Sequence, residues 1–439
     1  ALDAYCAERG IELVPSLASF GHLATVLKHP EYRHLAEDRG VGQYDIPEDE
    51  RPQWFSQKAW TVSPAVSETY DFLDSLFAEF LPLFSSGRFN ICCDETWDLG
   101  MGQSYQMCKK QGKGNVYLGH IKKVRDIAAR YDKTIMFWGD IIRHYPELIS
   151  EIPADVTVLD WGYGHNHPFA RIADFKAVGL PFYACPGTSS WVSLFPRLPE
   201  AMANIAGFAA AGKANGALGL LNTDWGDGGH YNFMEFSYHG YLFGAEQAWN
   251  TEADQATFTK RFTKLFLGRD DPKLSAAVTE LGRVSHLGGP YYQSIWQHVF
   301  FAAPQDAVLN HLEPIDMSVA DDSGIHAVNQ RFDADLGSAT LARLATVREA
   351  LVAAARAKGA DPHEILPYWI FAVDTIAHAA RKLTVLGPDG DDTPAGRREL
   401  KRDMKALMRR FEKLWMARNR RSEIRVTLRR YQHAIDALA

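Results

Sequence analysis

The chain has 439 residues, 46% of them hydrophobic and 23% charged, with a formal net charge of −7. That length exceeds one ordinary compact domain and allows a barrel of about 250 residues plus one further domain. The negative balance argues against nucleic acid as a partner, and no apolar run reaches the roughly 20 residues of a membrane span.

The chain opens at ALDAYCAERGIELVPSLASF, without Met, as the end of a helix entering a strand. Apolar runs of strand length then recur: Ile11–Leu17, Phe89–Cys93, Thr134–Trp138, Val156–Trp161, Leu180–Cys185 and Ala217–Asn222. Segments with apolar residues three and four apart lie between them, near Ser63–Phe84 and over Gly119–Tyr131. Short buried strands alternating with helices pair in parallel through βα crossovers. Six such units suit either an open sheet or a closed barrel missing two strands. Polar, aromatic and glycine residues end every run, as at the mouth of a barrel enzyme, which favours an α/β (β/α)8 TIM barrel. Residues 1–250 are then the catalytic barrel, strands three to eight, with strands one and two upstream of residue 1. An unclosed barrel exposes strand edges, so this segment alone is expected to be poorly soluble.

Beyond about Asn250 the pattern changes to helices: Phe258–Phe266, Leu274–His286, Thr340–Ala357, Leu366–Val385 and Arg398–Leu438. The run GPDGDDTPAG at 387–396 must be a loop. Residues 251–439 read as an all-helical C-terminal domain. Between Arg397 and Arg430 stand 14 Lys/Arg against four Asp/Glu, a local +10 that leaves the remainder at −17. Such a run is either a solvated helix face or a contact surface, and the helical tail could form a homodimer interface.

The five cysteines, Cys6, Cys92, Cys93, Cys108 and Cys185, are odd in number and form no C-x-x-C pair. Neither a disulfide framework nor a structural zinc site is suggested, and a cytoplasmic setting is favoured. No phosphate-binding glycine loop is present, and His165 and His167, one residue apart, are poorly spaced for a rigid metal site. No cofactor and no metal are expected.

The chemistry concentrates at Asp94–Glu95. Asp49–Glu50 is a second such dipeptide, in a polar loop; the first stands directly after the apolar strand FNICC. Adjacent acids at a strand end diverge. They do not suit the ordinary retaining arrangement, which opposes two carboxyl groups about 5–5.5 Å apart across a glycosidic bond. They suit a scheme in which one acid protonates the leaving oxygen and the other orients a nucleophile carried by the substrate. A 2-acetamido group is such a nucleophile: its carbonyl oxygen attacks C1 and closes an oxazolinium ring, whose charge a neighbouring carboxylate stabilises.

SLASFGHLATVLKHPEYRHLAE, FNICCDETWDLG and MFWGDIIRHYPE resemble barrel segments of glycoside hydrolase family 20, especially its hexosaminidase D-like branch. The likeness covers roughly residues 1–250 and more loosely the tail, through LWMARNRR. It implies an exo-β-N-acetylhexosaminidase that removes terminal β-linked GlcNAc or GalNAc from a glycan or glycoconjugate. Glu95 is then the general acid/base, and Asp94 orients the acetamido group. The likeness places His22, in SFGH, in the polar network beside the pair. Trp138, Trp161 and Trp225, all at strand ends, wall the acetamido methyl and the apolar sugar face, since pyranose C–H groups pack on aromatic rings. Tyr163 or Tyr183 hydrogen-bonds the acetamido oxygen, with Tyr163 favoured. Asp140, Asp224 and Asp227 are candidates for sugar hydroxyls, although Asp140 also suits a helix N-cap.

Two departures from the family pattern stand out. Cys92–Cys93 occupy a place where glycine is usual before the acidic pair, and the sugar-gripping Arg expected after the first barrel strand is not in this chain. Two other readings stay open: a retaining glycosidase with Asp224 or Asp140 as nucleophile, and a non-catalytic carbohydrate-binding barrel.

Overall fold

The computed structural model describes residues 1–38, 59–227, 231–287, 294–306, 332–359 and 361–438. Asp49–Glu50 lies outside the described residues. The chain forms two compact units. The first comprises Ala1–Trp161, Ala170–Cys185 and Ala211–Leu221; the second comprises Gly162–Phe169, Pro186–Ala210 and Asn222–Ala439.

The first unit is built on a parallel sheet of β1 (Arg88–Asn90), β2 (Thr134–Trp138), β3 (Thr157–Trp161) and β4 (Phe182–Cys185), hydrogen-bonded in that order. The register pairs Phe89 with Ile135, Phe137 with Val158 and Leu159 with Tyr183. β2 reproduces the sequence expectation residue for residue.

The two outer runs fall short of strands. Ile11–Leu17 is an extended stretch joined to β1 through the single bridge Ser16–Asn90. Its Pro15 has no N–H to donate, and Ile11 is exposed. Ala217–Asn222 forms the isolated bridge Leu220–Ala184 with β4, beside a bond from Leu218 N to the Phe182 carbonyl at 2.8 Å, and Leu218 and Leu221 are exposed. Even so, both add to the sheet in the expected order and in parallel.

Helices Glu68–Phe80 and Lys113–Ala129 follow from their periodicity. The first buries Thr69, Leu73 and Phe77, one per turn. Phe77 meets Phe89 of β1 edge-on at 4.9 Å. The second helix buries Tyr117, His120, Ile121 and Val124, and two of these residues reach the loop ends described below.

The second unit is helical, and no strand occurs among the described residues beyond 250. Helix Leu366–Leu386 is buried along most of its circumference and packs on helices Ala334–Arg356, Ile295–Phe301, Pro394–Arg418 and Met234–Trp249. Aromatic contacts fill that core: Trp369 stacks on Phe262 at 5.8 Å and donates its indole N–H to the Glu235 carbonyl at 2.8 Å. The helical pattern expected over Arg398–Leu438 is two helices, Pro394–Arg418 and Ile424–Ala437. The chain turns at Asn419–Glu423, where Glu423 adopts a left-handed φ of 63° and the Trp415 indole donates to the Arg420 carbonyl. No described helix is long and apolar enough to cross a membrane.

Candidate active site

β1 runs on past Asn90 while still paired to β2. Ile91 N donates to the Met136 carbonyl and Trp138 N to the Cys92 carbonyl, each at 2.9 Å. There the chain bends sharply, because Cys92 and Cys93 take φ values of 61° and 67°. The left-handed region costs a side-chain-bearing residue about 1–2 kcal/mol, which is why glycine is the usual occupant. Here side-chain and carbonyl contacts hold the bend. Asn90 Oδ1 accepts from Cys92 N at 2.9 Å, Ser16 Oγ lies 3.3 Å from Cys92 Sγ, and Ser19 Oγ lies 3.4 Å from Cys93 Sγ. Tyr117 donates its hydroxyl to the Cys93 carbonyl at 2.9 Å. Burial pushes the Cys92 thiol up to about 12 and the Cys93 thiol upward as well, so neither is a thiolate at neutral pH.

The bend delivers Asp94 and Glu95 to one side. His22 Nε2 is 3.1 Å from Asp94 Oδ2 and 3.3 Å from Glu95 Oε2, so both carboxylates meet the same nitrogen. Burial alone would lower the His22 pKa. Hydrogen bonds from Asp94 and Glu95, reinforced by their charges, outweigh it and raise the value to about 10. His22 is therefore an imidazolium at neutral pH, a cation between two acids. Asp94 is the more enclosed of the two, its side chain 15% exposed against 33% for Glu95.

Asp140, two residues beyond the end of β2, completes the group. Its Oδ2 accepts from Glu95 N at 2.9 Å. Burial, then the negative charges of Asp94 and Glu95, hold its carboxyl well above the usual range, with the Glu95 N–H and the Trp161 indole opposing. Its neutral form is thereby favoured. Its contact with Glu95 N is a capping bond in kind, made to a neighbouring strand end.

The loop after residue 17 is shaped to meet this turn. A Cβ on Gly21 would lie 2.5 Å from the Asp94 carbonyl oxygen, so SFGH admits only glycine there. Behind it Phe20 stacks on His120 at 3.8 Å. Burial lowers the His120 pKa to about 3, and the neutral ring donates from Nε2 to the Ser19 carbonyl at 3.0 Å. Glu37, fully buried, accepts from Ser63 Oγ, Ser104 Oγ and Gly102 N, and so ties the loop after Glu95 to the loop after His22.

Trp138 and Trp161 close β2 and β3 within the same unit; Trp138 is buried. Tyr183 stands apart from the acids. Its hydroxyl is 2.6 Å from Arg88 Nη1 at the start of β1, with Glu12 on the same guanidinium.

Tyr163, Trp225 and Asp227 belong to the second unit. There the Trp225 indole donates to the Tyr163 hydroxyl at 2.8 Å, and Trp191 meets the Tyr163 ring edge-on at 5.0 Å. Gly187 permits this packing, since a Cβ there would lie 2.4 Å from Trp191. Asp224 accepts from Thr188 Oγ1 at 2.6 Å, from Tyr241 at 2.8 Å and from Ser190 Oγ. In the same unit the buried Glu200 accepts both His165 N and His165 Nδ1 at 2.7 Å. Among the described residues no group of three His, Cys, Asp or Glu side chains could hold a metal ion.

Sequence reasoning did not single out Trp60, Tyr117 or Ser19. Each reaches the site through a backbone carbonyl or a loop, and such contacts leave no spacing pattern. The left-handed backbone did leave a trace, since two cysteines stand where the resemblance expects glycine.

Residues 1–181 match the family model described as "Glycosyl hydrolase family 20, catalytic domain". Human Hexosaminidase D is 24% identical to the chain over 247 residues, covering 51% of the chain and 47% of that protein. Bos taurus Hexosaminidase D is 28% identical over 163 residues, covering 35% and 42%. The chain thus spans less than half the length of these two relatives. Among solved structures, the Flavobacterium johnsoniae chitobiase is 16% identical with a TM-score of 0.46, covering all of this chain and 67% of that one. The β-N-acetylhexosaminidase of Bacteroides fragilis is 16% identical with a TM-score of 0.43, covering 60% and 52%. Within the matched residues lie His22, Asp94, Glu95, Trp138, Asp140, Trp161 and Tyr163.

Proposed function

We propose that this protein is an exo-β-N-acetylhexosaminidase that hydrolyses terminal β-linked GlcNAc or GalNAc from glycans or glycoconjugates by substrate assistance. The observation that carries the reading is that Asp94 and Glu95 both reach one imidazole nitrogen. Carboxylates placed side by side cannot oppose each other across a glycosidic bond, so the nucleophile must come from the substrate. The match of residues 1–181 to the family 20 model and the two hexosaminidase relatives support the same reading.

Glu95 passes a proton to the glycosidic oxygen while the 2-acetamido carbonyl oxygen attacks C1 and the aglycone bond breaks. The amide N–H of the forming oxazolinium ring is held by Asp94, whose negative charge stabilises the positive ring. Glu95, now a carboxylate, takes a proton from water as that water opens the ring at C1 with net retention. His22 keeps both carboxylates oriented and offsets one of their two charges. Trp138 and Trp161 wall the acetamido methyl and the sugar face, and Asp140 serves the hydroxyls. Tyr183 is engaged with Arg88 and is a weak candidate for the acetamido oxygen. The frame proposed is a (β/α)8 barrel whose strands three to eight fall within residues 1–250, with residues 251–439 as a helical domain.

The alternative of a separate carboxylate nucleophile loses support from the same geometry. Burial and the charges of Asp94 and Glu95 disfavour the ionised form of Asp140, and Asp224 is saturated by three hydroxyl donors; neither offers an unencumbered carboxylate. The test assays the full-length protein on the 4-nitrophenyl β-glycosides of GlcNAc, GalNAc and glucose. Release from the acetamido sugars alone supports substrate assistance, and equal release from the glucoside refutes it.

A further inference from the structure

The geometry points to Trp60 as a positioning residue that sets both the turn bearing Glu95 and the imidazolium of His22; the inference rests on the activity proposed above. Trp60 donates its indole N–H to the Glu95 carbonyl at 2.8 Å. The same ring lies 4.4 Å from the His22 ring, centroid to centroid, tilted by 55°. One side chain therefore touches the backbone of one functional residue and the side chain of another.

Glu95 needs such a hold. Its φ is 50°, and His22 has φ 62°, so both sit in the left-handed region that glycine would occupy without strain. A strained backbone persists only where its surroundings determine it. The Glu95 carbonyl receives two donors, Trp97 N and the Trp60 indole, each at 2.8 Å. Of these two donors only the indole comes from outside the turn, and it adds a hold on the Glu95 carbonyl to the bond from Glu95 N to Asp140 Oδ2. Trp60 is itself anchored. Its backbone N and that of Thr61 donate to the buried Asp98 Oδ2 at 3.3 and 3.2 Å, and its carbonyl accepts from Leu23 N at 3.0 Å. Leu23 follows His22 in the chain, so the loop that carries Trp60 also fixes the loop that carries His22.

The second contact is electrostatic. A cation close to an indole ring is stabilised by the ring quadrupole. The titratable groups facing His22 are Asp94 and Glu95, with Asp140 behind Glu95; Trp60 covers another side of the imidazole. The ring adds to the preference for the charged form that the two carboxylates establish. Loss of the ring therefore lowers the His22 pKa, and loss of the indole N–H loosens the Glu95 turn.

Two variants separate the contacts. Trp60→Phe keeps an aromatic face and removes the donor; Trp60→Leu removes both. In the full-length protein Trp60→Phe is expected to lower kcat about tenfold with KM within about twofold, as loss of orientation at the reacting group rather than of sugar binding. Trp60→Leu is expected to lower kcat further. It should also bring the alkaline limb of the pH–rate profile, and the His22 titration followed by 15N-histidine NMR, down by about one pH unit, whereas Trp60→Phe leaves them in place. A His22→Asn spectrum assigns the resonance, and circular dichroism confirms folding. A folded Trp60→Phe with wild-type kcat overturns the assignment, as does a folded Trp60→Leu with an unmoved His22 titration. Should the wild type release nothing from any glycoside, the activity reading falls and the NMR titration alone decides. A lowered His22 pKa in Trp60→Leu then upholds the positioning contact, and an unmoved one overturns it.

Discussion

Two carboxylate settings in this chain differ in what surrounds them. In the second unit Asp224 is met by three hydroxyls, from Thr188, Ser190 and Tyr241, and its oxygens are spent on neutral donors. In the first unit Asp94 and Glu95 share one charged imidazole and stand beside a third carboxyl whose pKa is pushed upward by burial and by their charges. The first arrangement is a satisfied polar knot that rigidifies its surroundings. The second places like charges together on a left-handed backbone, a costly arrangement for folding that suits proton transfer and charge stabilisation. Proximity to a strand end alone does not separate the two, since both follow apolar runs; the character of the partners does.

The largest expected effect tests that contrast directly. Glu95→Gln should lower kcat on 4-nitrophenyl β-GlcNAc by about 10²–10⁴-fold, the span of general acid–base catalysis. Asp224→Asn should instead cost about 1–3 kcal/mol in denaturant melts, because an amide cannot accept from all three hydroxyls, with kcat staying within about tenfold. Equal catalytic losses in the two variants would erase the distinction.

Next comes Gly21→Ala. The added methyl meets the Asp94 carbonyl at 2.5 Å, so the acid turn or the His22 loop must shift. A displacement of about 1 Å at a reacting group costs about 10²-fold, so kcat should fall by that order while the protein stays folded. Wild-type kcat would show that the close approach is not needed.

The His22 ion pair gives a pH dependence of defined sign. Its pKa rises on folding from 6.5 to about 10. The stabilisation is therefore fully present below pH 6.5, declines above it and is lost as pH passes through about 10. Thermal melts between pH 6.5 and 10 should show wild type losing stability relative to His22→Asn, and parallel curves would deny the pair.

The smallest effect concerns the bend. Cys92→Gly removes a side chain from a left-handed φ of 61°, at the loss of one weak contact to Ser16. A gain of about 0.5–1 kcal/mol is expected, visible as a slightly raised Tm. A lowered Tm would mean that the Ser16 contact and the greater freedom of glycine in the unfolded chain outweigh the strain.

Much of this was legible in the sequence, and the reasons differ from element to element. Thr134–Trp138 is a continuous apolar run with an aromatic end, and it forms β2 over those same residues. The stretches Ile11–Leu17 and Ala217–Asn222 carry equally apolar runs, yet each pairs through one bridge. Hydrophobicity marks a buried strand but does not say how many neighbours will supply hydrogen bonds. The helix expected over Arg398–Leu438 broke at Asn419–Glu423, because apolar periodicity continues in phase across a turn that only a left-handed residue reveals. The acid pair was readable because its residue types and strand-end position are local facts. Its partners were less so: His22 came from a motif, and Trp60 came from no pattern at all.

The amino-acid order by itself determined the local properties: alternating strand and helix periods, two adjacent acids after an apolar strand, aromatic residues at strand ends, and a basic tail. These depend on neighbours a few residues away, where side-chain type decides conformation. Only the tertiary structure decided that the cysteines preceding the acids lie in the left-handed region, that His22 is charged while His120 is neutral, and that the pKa of Asp140 is pushed upward. Those outcomes depend on burial and on charges brought close from distant positions. Protonation follows the electrostatic surroundings of a group, and those surroundings exist only once the chain has folded.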